Sequence, residues 1–254
     1  MGRGYAAIFG LVLTSALTLP ANAGDQAPFV WTGAFAGING GYGWSASDSS
    51  LYAYADNNVT TDTSPVASFS KSGGFGGGQI GYNLQRGAFV FGFETDFEGS
   101  GIDGRANASA AVTGVTANAS RDNGLGWFGT ARGRLGYASG RTLVYFTTGF
   151  AYGGGQGSSS ITIDEPGLTH TYSVSSSNTV HTGYVLGGGL EYAFAGSWSL
   201  KAEYQYIDLT GVNGWVETSN NNGLARNNYS IDHTYNTVRL GLNYNLQSVS
   251  EPLK

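Results

Sequence analysis

The chain has 254 residues, with 42 glycines, 16 tyrosines, 13 phenylalanines, 5 tryptophans, no cysteine and a net charge of −5. The lack of cysteine excludes a disulfide scaffold and a thiolate metal site, and the negative charge gives no reason to expect nucleic-acid binding. Many glycines and aromatic residues, with few charged ones, favour β-strands over helices.

The first residues carry the pattern of a secretory signal peptide. Arg3 gives a short positive region, residues 6–19 are apolar, and Ala21, Asn22 and Ala23 form a small-residue cleavage site. The apolar stretch is shorter than the roughly 20 residues that a spanning helix needs. We therefore predict a signal peptide at residues 1–23 and a mature domain at residues 24–254, with a short C-terminal tail at residues 247–254.

Residues 89–97 alternate between two kinds of side chain. Phe89, Phe91 and Phe93 fall on one face, whereas Glu94 and Asp96 fall on the other. Successive side chains of a strand point to opposite sides, so this segment is a wall with one aromatic and one acidic face. Such a wall is typical of a membrane β-barrel, which is apolar toward lipid and polar toward its lumen.

The same alternation recurs in eight segments, each near the length that a tilted strand needs to cross a bilayer. They lie at residues 31–44, in a hairpin over 75–97 that turns at 85–88, and at residues 125–137, 142–152, 182–194, 198–207 and 234–246. The pattern predicts an all-β fold, an eight-stranded antiparallel up-and-down transmembrane β-barrel.

The connections between these segments alternate in length. Short turns fall near residues 86–87, 139–140 and 195–196, whereas long connections rich in Ser, Asn, Thr and Gly cover residues 45–70, 98–124, 153–181 and 208–233. This alternation matches short periplasmic turns and long extracellular loops. The low hydrophobicity of the long connections predicts mobile, surface-exposed loops that could bind host or surface ligands.

The faces predicted to point inward collect four acids and four bases. An eight-stranded barrel is filled by its own side chains, and a buried charge without a partner is costly, so we predict one structural ion network rather than a catalytic site. Arg134 is expected to pair with Glu94, or alternatively with Asp96. The network comprises Glu94, Asp96, Arg132, Arg134, Glu191, Lys201, Glu203 and Arg239.

Two further sets of aromatic side chains have candidate roles. Four tryptophans near strand ends fit interfacial aromatic girdles: Trp31, Trp44, Trp127 and Trp198. The three histidines lie in or beside the long connections and are weak candidates for haem ligation, although a solvated histidine is the commoner case: His170, His181 and His233.

Eight segments carry the resemblance to a known family, and they occur along the chain in this order: WTGAFAGINGGYGW, FGGGQIGYNLQ, FVFGFETDF, ARGRLGYA, YFTTGFAYG, GGGLEYAF, WSLKAEYQYIDL and VRLGLNYNL. They resemble the small alphaproteobacterial outer-membrane proteins of the porin family, also called outer membrane immunogenic proteins, across nearly all of the mature chain. The resemblance implies an OmpA-like barrel. It also implies an abundant envelope protein and surface antigen, and some members of the family bind haemin. The chain differs from the family in ending its last predicted strand at Asn245 and Leu246 and continuing to residue 254.

The sequence thus predicts a structural, non-enzymatic protein of the outer membrane with surface-exposed loops and no cofactor. Its expected partners are outer-membrane lipid and lipopolysaccharide, and host or surface ligands of the loops. A narrow pore and a haemin-binding surface protein remain the alternative functions.

Overall fold

The computed structural model describes residues 29–46, 49–56, 67–112, 115–220 and 223–246. The predicted signal peptide and the C-terminal tail lie outside these residues. The described chain forms ten strands: β1 (Gly33–Ser45), β2 (Ser49–Asp56), β3 (Ala67–Phe69), β4 (Ser72–Arg86), β5 (Phe89–Val112), β6 (Val115–Ser139), β7 (Thr142–Glu165), β8 (Leu168–Ala195), β9 (Trp198–Asn220) and β10 (Gly223–Asn245).

Eight of these strands form a closed ring. Antiparallel pairs run in the order β1, β4, β5, β6, β7, β8, β9 and β10, and β10 pairs back to β1 from Asn245 opposite Phe35 to Tyr235 opposite Ser45. Closure leaves no open edge in the wall of the barrel. The predicted eight-stranded antiparallel barrel is therefore confirmed. Strands β2 and β3 are not part of the ring. β2 pairs with residues 224–230 of β10, and β3 pairs with β2.

The three tight turns lie where the sequence predicted them. Gly87, Gly140 and Gly196 occupy the turns β4–β5, β6–β7 and β8–β9 with φ angles of 61°, 59° and 50°. These angles lie in the left-handed region, which a residue without a Cβ adopts at little cost. All three turns lie at the same end of the barrel, which we call the short-turn end.

Three of the four connections predicted as long loops are β-hairpins that extend the strands of the ring. The ladders continue to Val112 opposite Val115, and to Glu165 opposite Leu168. The ladder between β9 and β10 extends to Asn220 opposite Gly223. The strands are therefore longer than predicted: the sequence placed their ends where large apolar side chains stop recurring, whereas ladder hydrogen bonds form between backbones of any composition.

The outside of the ring carries a continuous apolar belt. Large apolar side chains are exposed on every strand of the ring, among them Ile38, Ile80, Phe91, Leu135, Phe146, Leu190, Leu200 and Leu240. On β5, β6 and β7 the belt ends in Phe97, Trp127 and Tyr152, whose rings lie side by side at centroid distances of 5.6 and 6.2 Å. Within the described residues no helix is long and apolar enough to cross a membrane.

Trp31 does not belong to an outer girdle. Its side chain is only 2% exposed, whereas Trp44 and Trp198 are 37% and 42% exposed. Trp31 precedes β1, donates its backbone N–H to Gln85 Oε1 at 2.9 Å, and packs edge-on against Phe29. The prediction for Trp31 was wrong because Trp31 falls on the same alternating face as the buried Phe35, whereas Trp44 falls on the outer face.

The lumen is filled in three layers. At the short-turn end Trp31 packs with Val90, Ala138, Leu143, Tyr145 and Ala193. Toward the opposite end a second apolar cluster comprises Phe75, Ile102, Leu125, Phe128, Ala151, Val185, Ile207, Leu209 and Tyr235. Between these two apolar layers the described chain has nine buried charged side chains: Glu94, Asp96, Glu98, Arg132, Arg134, Glu191, Lys201, Glu203 and Arg239. Lys71 and Arg121 are also buried, but they lie beyond the second cluster.

Candidate functional site

The structure brings all eight predicted lumen charges together. Their side chains project inward from β5, β6, β8, β9 and β10, and each residue is at most 4% exposed. Alternation places them there, since each shares its strand face with other buried residues rather than with the apolar belt. They form a continuous set of ion pairs, which we call the lumen network.

Arg132 is the centre of the lumen network. On its own side of the barrel it donates to Glu94 at 2.5 Å and to Asp96 at 2.9 Å. Across the lumen it donates to Glu203 of β9 at 2.5 Å. One guanidinium therefore holds three carboxylates, which its planar set of five donors allows.

Arg134 has a different principal partner from the one predicted. It donates to Glu191 of β8 in a short hydrogen bond, whereas its Nη1 lies 3.7 Å from Glu94 Oε2 and it makes no ion pair with Asp96. The guanidinium also lies 3.8 Å from the centroid of the Tyr145 ring, a cation–π contact. Glu191 accepts further hydrogen bonds from Ser199 at 2.6 Å and Asn243 at 2.8 Å.

The remaining cations complete the network. Lys201 Nζ lies 2.6 Å from Glu94 Oε1. Arg239 Nη1 lies 2.9 Å from Asp96 Oδ2 and 3.2 Å from Glu98 Oε1. Glu98 also belongs to the network, although the sequence pattern placed it in a long connection. Glu98 follows Glu94 and Asp96 at a spacing of two residues, so continuing the alternation by one step would have found it.

This arrangement suits a structural role better than acid–base chemistry. Tyr145 donates its hydroxyl to Glu203 at 2.7 Å, and Thr130 donates both its N–H and its hydroxyl to Asp96 at 2.9 Å. A catalytic carboxyl needs access to a substrate. These carboxylates instead accept from buried protein groups, between two apolar layers. Among the described residues no group of three or more His, Cys, Asp or Glu side chains could hold a metal ion.

Two of the histidines meet beyond the apolar belt. His181 and His233 stack with ring centroids 4.3 Å apart, and His233 Nδ1 lies 3.4 Å from the Tyr235 hydroxyl. His233 is 7% exposed, so the expectation of a solvent-exposed side chain there was wrong. Burial, aided by the charges of Lys71, His181 and Arg121, lowers the pKa of His233 to about 3. The side chain of His170 lies outside the described residues, and haem ligation stays a prediction.

Comparison with known proteins places the chain among bacterial envelope proteins. The family model described as "Outer membrane protein beta-barrel domain" matches residues 9–245. The chain is 39% identical over 221 residues to the 31 kDa outer-membrane immunogenic protein of Brucella melitensis, covering 85% of this chain and 84% of the Brucella protein. It is 31% identical to a 22 kDa outer membrane protein of Rhizobium leguminosarum, covering 65% of this chain and 64% of that protein.

The chain is also similar to solved structures of bacterial proteins. The outer membrane protein OprG from Pseudomonas aeruginosa matches with a TM-score of 0.43 and 11% identity, over 84% of this chain and 97% of OprG. Ail, the attachment invasion locus protein of Yersinia pestis, matches with a TM-score of 0.30 and 11% identity, over 84% of this chain and 99% of Ail.

Proposed function

The chain belongs to the family of outer membrane β-barrel proteins, and on that premise we propose that it is a non-enzymatic structural barrel whose plugged lumen maintains envelope integrity while its extended hairpins take part in surface recognition. The protein resides in the outer membrane. The observation that carries the proposal is the lumen network, in which Arg132 of β6 joins Glu94 of β5 to Glu203 of β9 across the barrel.

The two apolar layers support a closed lumen. A conducting path needs a continuous column of water or of polar groups, as in wide porins. Here Trp31 and Leu143 at the short-turn end, and Ile102 and Phe128 toward the other end, are each at most 2% exposed. The layers lie above and below the charges, so an ion would have to displace apolar side chains twice. This packing favours the structural barrel over the narrow pore.

The extended hairpins support the proposed role in recognition. β5 to β10 are each 23 to 28 residues long, about twice the 9–11 residues that a tilted strand needs to cross the bilayer. The excess stands on the side opposite the short turns, which in this class of barrel is the extracellular side. The relative in Brucella is named as an immunogenic protein, which agrees with display of such hairpins.

Planar-bilayer recording tests the proposal directly. Refolded protein should show at most small and rare openings, because the network and both apolar layers block the lumen. A larger porin reconstituted in the same lipid provides the positive control. Large, steady channels from the refolded protein would contradict the proposal and favour the pore.

A further inference from the structure

We propose that the outward face of the extended sheet β5–β8 binds the sugar headgroups of lipopolysaccharide, the glycolipid of the surrounding outer leaflet. This inference rests on the proposed function, in which the barrel spans the outer membrane. The face consists of the outward side chains within residues 105–109 of β5, 116–122 of β6, 158–164 of β7 and 169–175 of β8, and we call it the hydroxyl face.

The strand register aligns these side chains in straight rows. In one row Asn107 lies opposite Ser120, Ser120 opposite Ser160, and Ser160 opposite Ser173. Neighbouring strands are about 4.8 Å apart and outward residues repeat about every 6.8 Å along a strand, so the rows form a regular two-dimensional lattice.

The next row has the same character. It runs from Ser109 through Asn118 and Thr162 to Thr171. Ser109 donates its hydroxyl to Asn118 at 2.7 Å, and the hydroxyls of Thr162 and Thr171 are 3.3 Å apart. In the first row, the hydroxyls of Ser120 and Ser160 are 2.7 Å apart. These bonds hold the side chains in place before any ligand arrives, which reduces the entropy lost on binding.

The chemistry of the hydroxyl face matches a saccharide. Hydroxyl and amide groups both donate and accept hydrogen bonds, as sugar hydroxyls do. The outward charged side chains in the four ranges are Arg105 and Asp122, which pair at 2.6 Å, and Asp164, which accepts from Thr169 at 2.9 Å. Arg121 also falls in these ranges but is buried on the opposite face. The single paired cation gives little attraction for bare phosphate, and the face has none of the large apolar anchors that a protein partner uses.

The position of the hydroxyl face favours lipopolysaccharide as the molecule that it contacts. The face continues the lipid-facing side of β5, β6 and β7 beyond Phe97, Trp127 and Tyr152, where the apolar belt ends. On β7 the face begins at Ser158, about 20 Å farther along the strand. Aromatic girdles of outer-membrane barrels lie at the membrane interface. The outward side chains farther along these strands therefore stand among the sugars of the same leaflet. The two rows, together with the outward residues on either side of them, extend over about 20 Å along the strands.

Single-cysteine labelling tests the inference, because the chain has no cysteine of its own. Ser160→Cys places a thiol on the hydroxyl face, and Ser159→Cys, the next residue of β7, places one on the opposite face as the matched control. Each variant is folded into nanodiscs of phosphatidylcholine alone, of phosphatidylcholine with lipopolysaccharide lacking core sugars, and of phosphatidylcholine with lipopolysaccharide carrying them. The rate of reaction with a maleimide is then measured.

We expect core-bearing lipopolysaccharide to slow labelling of the Ser160→Cys variant about tenfold. Lipopolysaccharide without core sugars should leave that rate nearly unchanged, and the Ser159→Cys rate should be the same in all three discs. Equal rates for Ser160→Cys in the three discs, or equal slowing of both variants, would overturn the inference. Phe146→Cys in the apolar belt serves as the insertion control. If the Phe146→Cys variant reacts readily in every disc, the barrel is not inserted in the membrane. That result would contradict the proposed function rather than the inference about lipopolysaccharide.

A second set of variants separates binding from mere crowding by sugars. Ser173→Cys reports on the row that contains Ser120 and Ser160, and a matched chain carries Ser120→Asp and Thr162→Asp in addition. The added carboxylates lie next to phosphorylated core sugars, and like charges repel. The protection of Ser173→Cys should therefore be lost in the Asp chain, whose folding is verified by its gel migration before and after boiling. Unchanged protection would indicate crowding and contradict the inference.

Discussion

Arg132 of β6 and Glu203 of β9 lie on strands separated by β7 and β8, yet their side chains meet inside the barrel at 2.5 Å. Both side chains are inaccessible to solvent. Only the closed ring can make this contact, because in a flat sheet these two strands would be about 14 Å apart. The pair ties opposite walls of the barrel together, and its removal is the sharpest test of the lumen network.

Arg132→Ala should lower the free energy of unfolding by about 3–5 kcal/mol, because it leaves Glu94, Asp96 and Glu203 without their shared cation. Urea unfolding in lipid vesicles measures the change. Arg105→Ala, which breaks an exposed ion pair, is the matched control and should unfold like the wild type. Equal stability of Arg132→Ala and the wild type would contradict a structural role for the network.

A double-mutant cycle distinguishes the observed partner of Arg134 from the predicted one. Arg134→Ala combined with Glu191→Gln should show a coupling of about 1–3 kcal/mol, because the two side chains are hydrogen-bonded. The cycle with Glu94→Gln should show a smaller coupling, since that contact is 3.7 Å long and Glu94 has two closer cations. Larger coupling to Glu94 would restore the pairing expected from sequence.

The burial of Trp31 predicts a difference in fluorescence between single-tryptophan variants. Bromine on lipid chains quenches an indole that it contacts. The variant that keeps only Trp198 should be strongly quenched in brominated vesicles, because this side chain is exposed on the apolar belt. The variant that keeps only Trp31 should be quenched little, because its ring lies inside the barrel. Similar quenching of both would place Trp31 in the outer girdle after all.

His233 should remain neutral in the folded protein well below the usual pKa of histidine. Its pKa of about 3 results first from burial. An NMR titration from about pH 7.5 to about pH 4.5 should leave its ring signals in place, and His233→Asn identifies those signals by removing them. A midpoint near the usual value of about 6.5 would show that the ring is hydrated.

The lowered pKa of His233 also determines the direction in which the stability of the folded protein changes with pH. Above about pH 6.5 the ring is neutral in both the folded and the unfolded chain, so His233 makes no pH-dependent contribution there. As the pH falls from about 6.5 toward about 3, the unfolded chain takes up the proton before the folded one does. The folded state should therefore lose stability on acidification in this interval. His233→Asn should weaken that dependence, and an unchanged dependence would assign it to other groups.

The sequence by itself determined the barrel and the identity of its charged interior. Alternation with a period of two places Phe91 outside and Glu94 inside without reference to any other strand. Glycines at turn positions, such as Gly87 and Gly140, mark where consecutive strands reverse. These features are local, so they can be read along the chain. Much of the length of the hairpins could not be predicted, however, because segments such as residues 105–109 and 116–120 alternate between polar side chains and alanines.

Only the tertiary structure decided which side chains meet across the lumen. Arg134 lies closer to Glu191 than to Glu94 because ring closure and the tilt of the strands set distances between walls that are remote in sequence. Alternation already puts Trp31 and His233 on the inward face of their strands, and ring closure makes that face a buried interior. Local alternation fixes the side of the wall on which a residue lies, whereas contacts across the barrel depend on the stagger of all eight strands together.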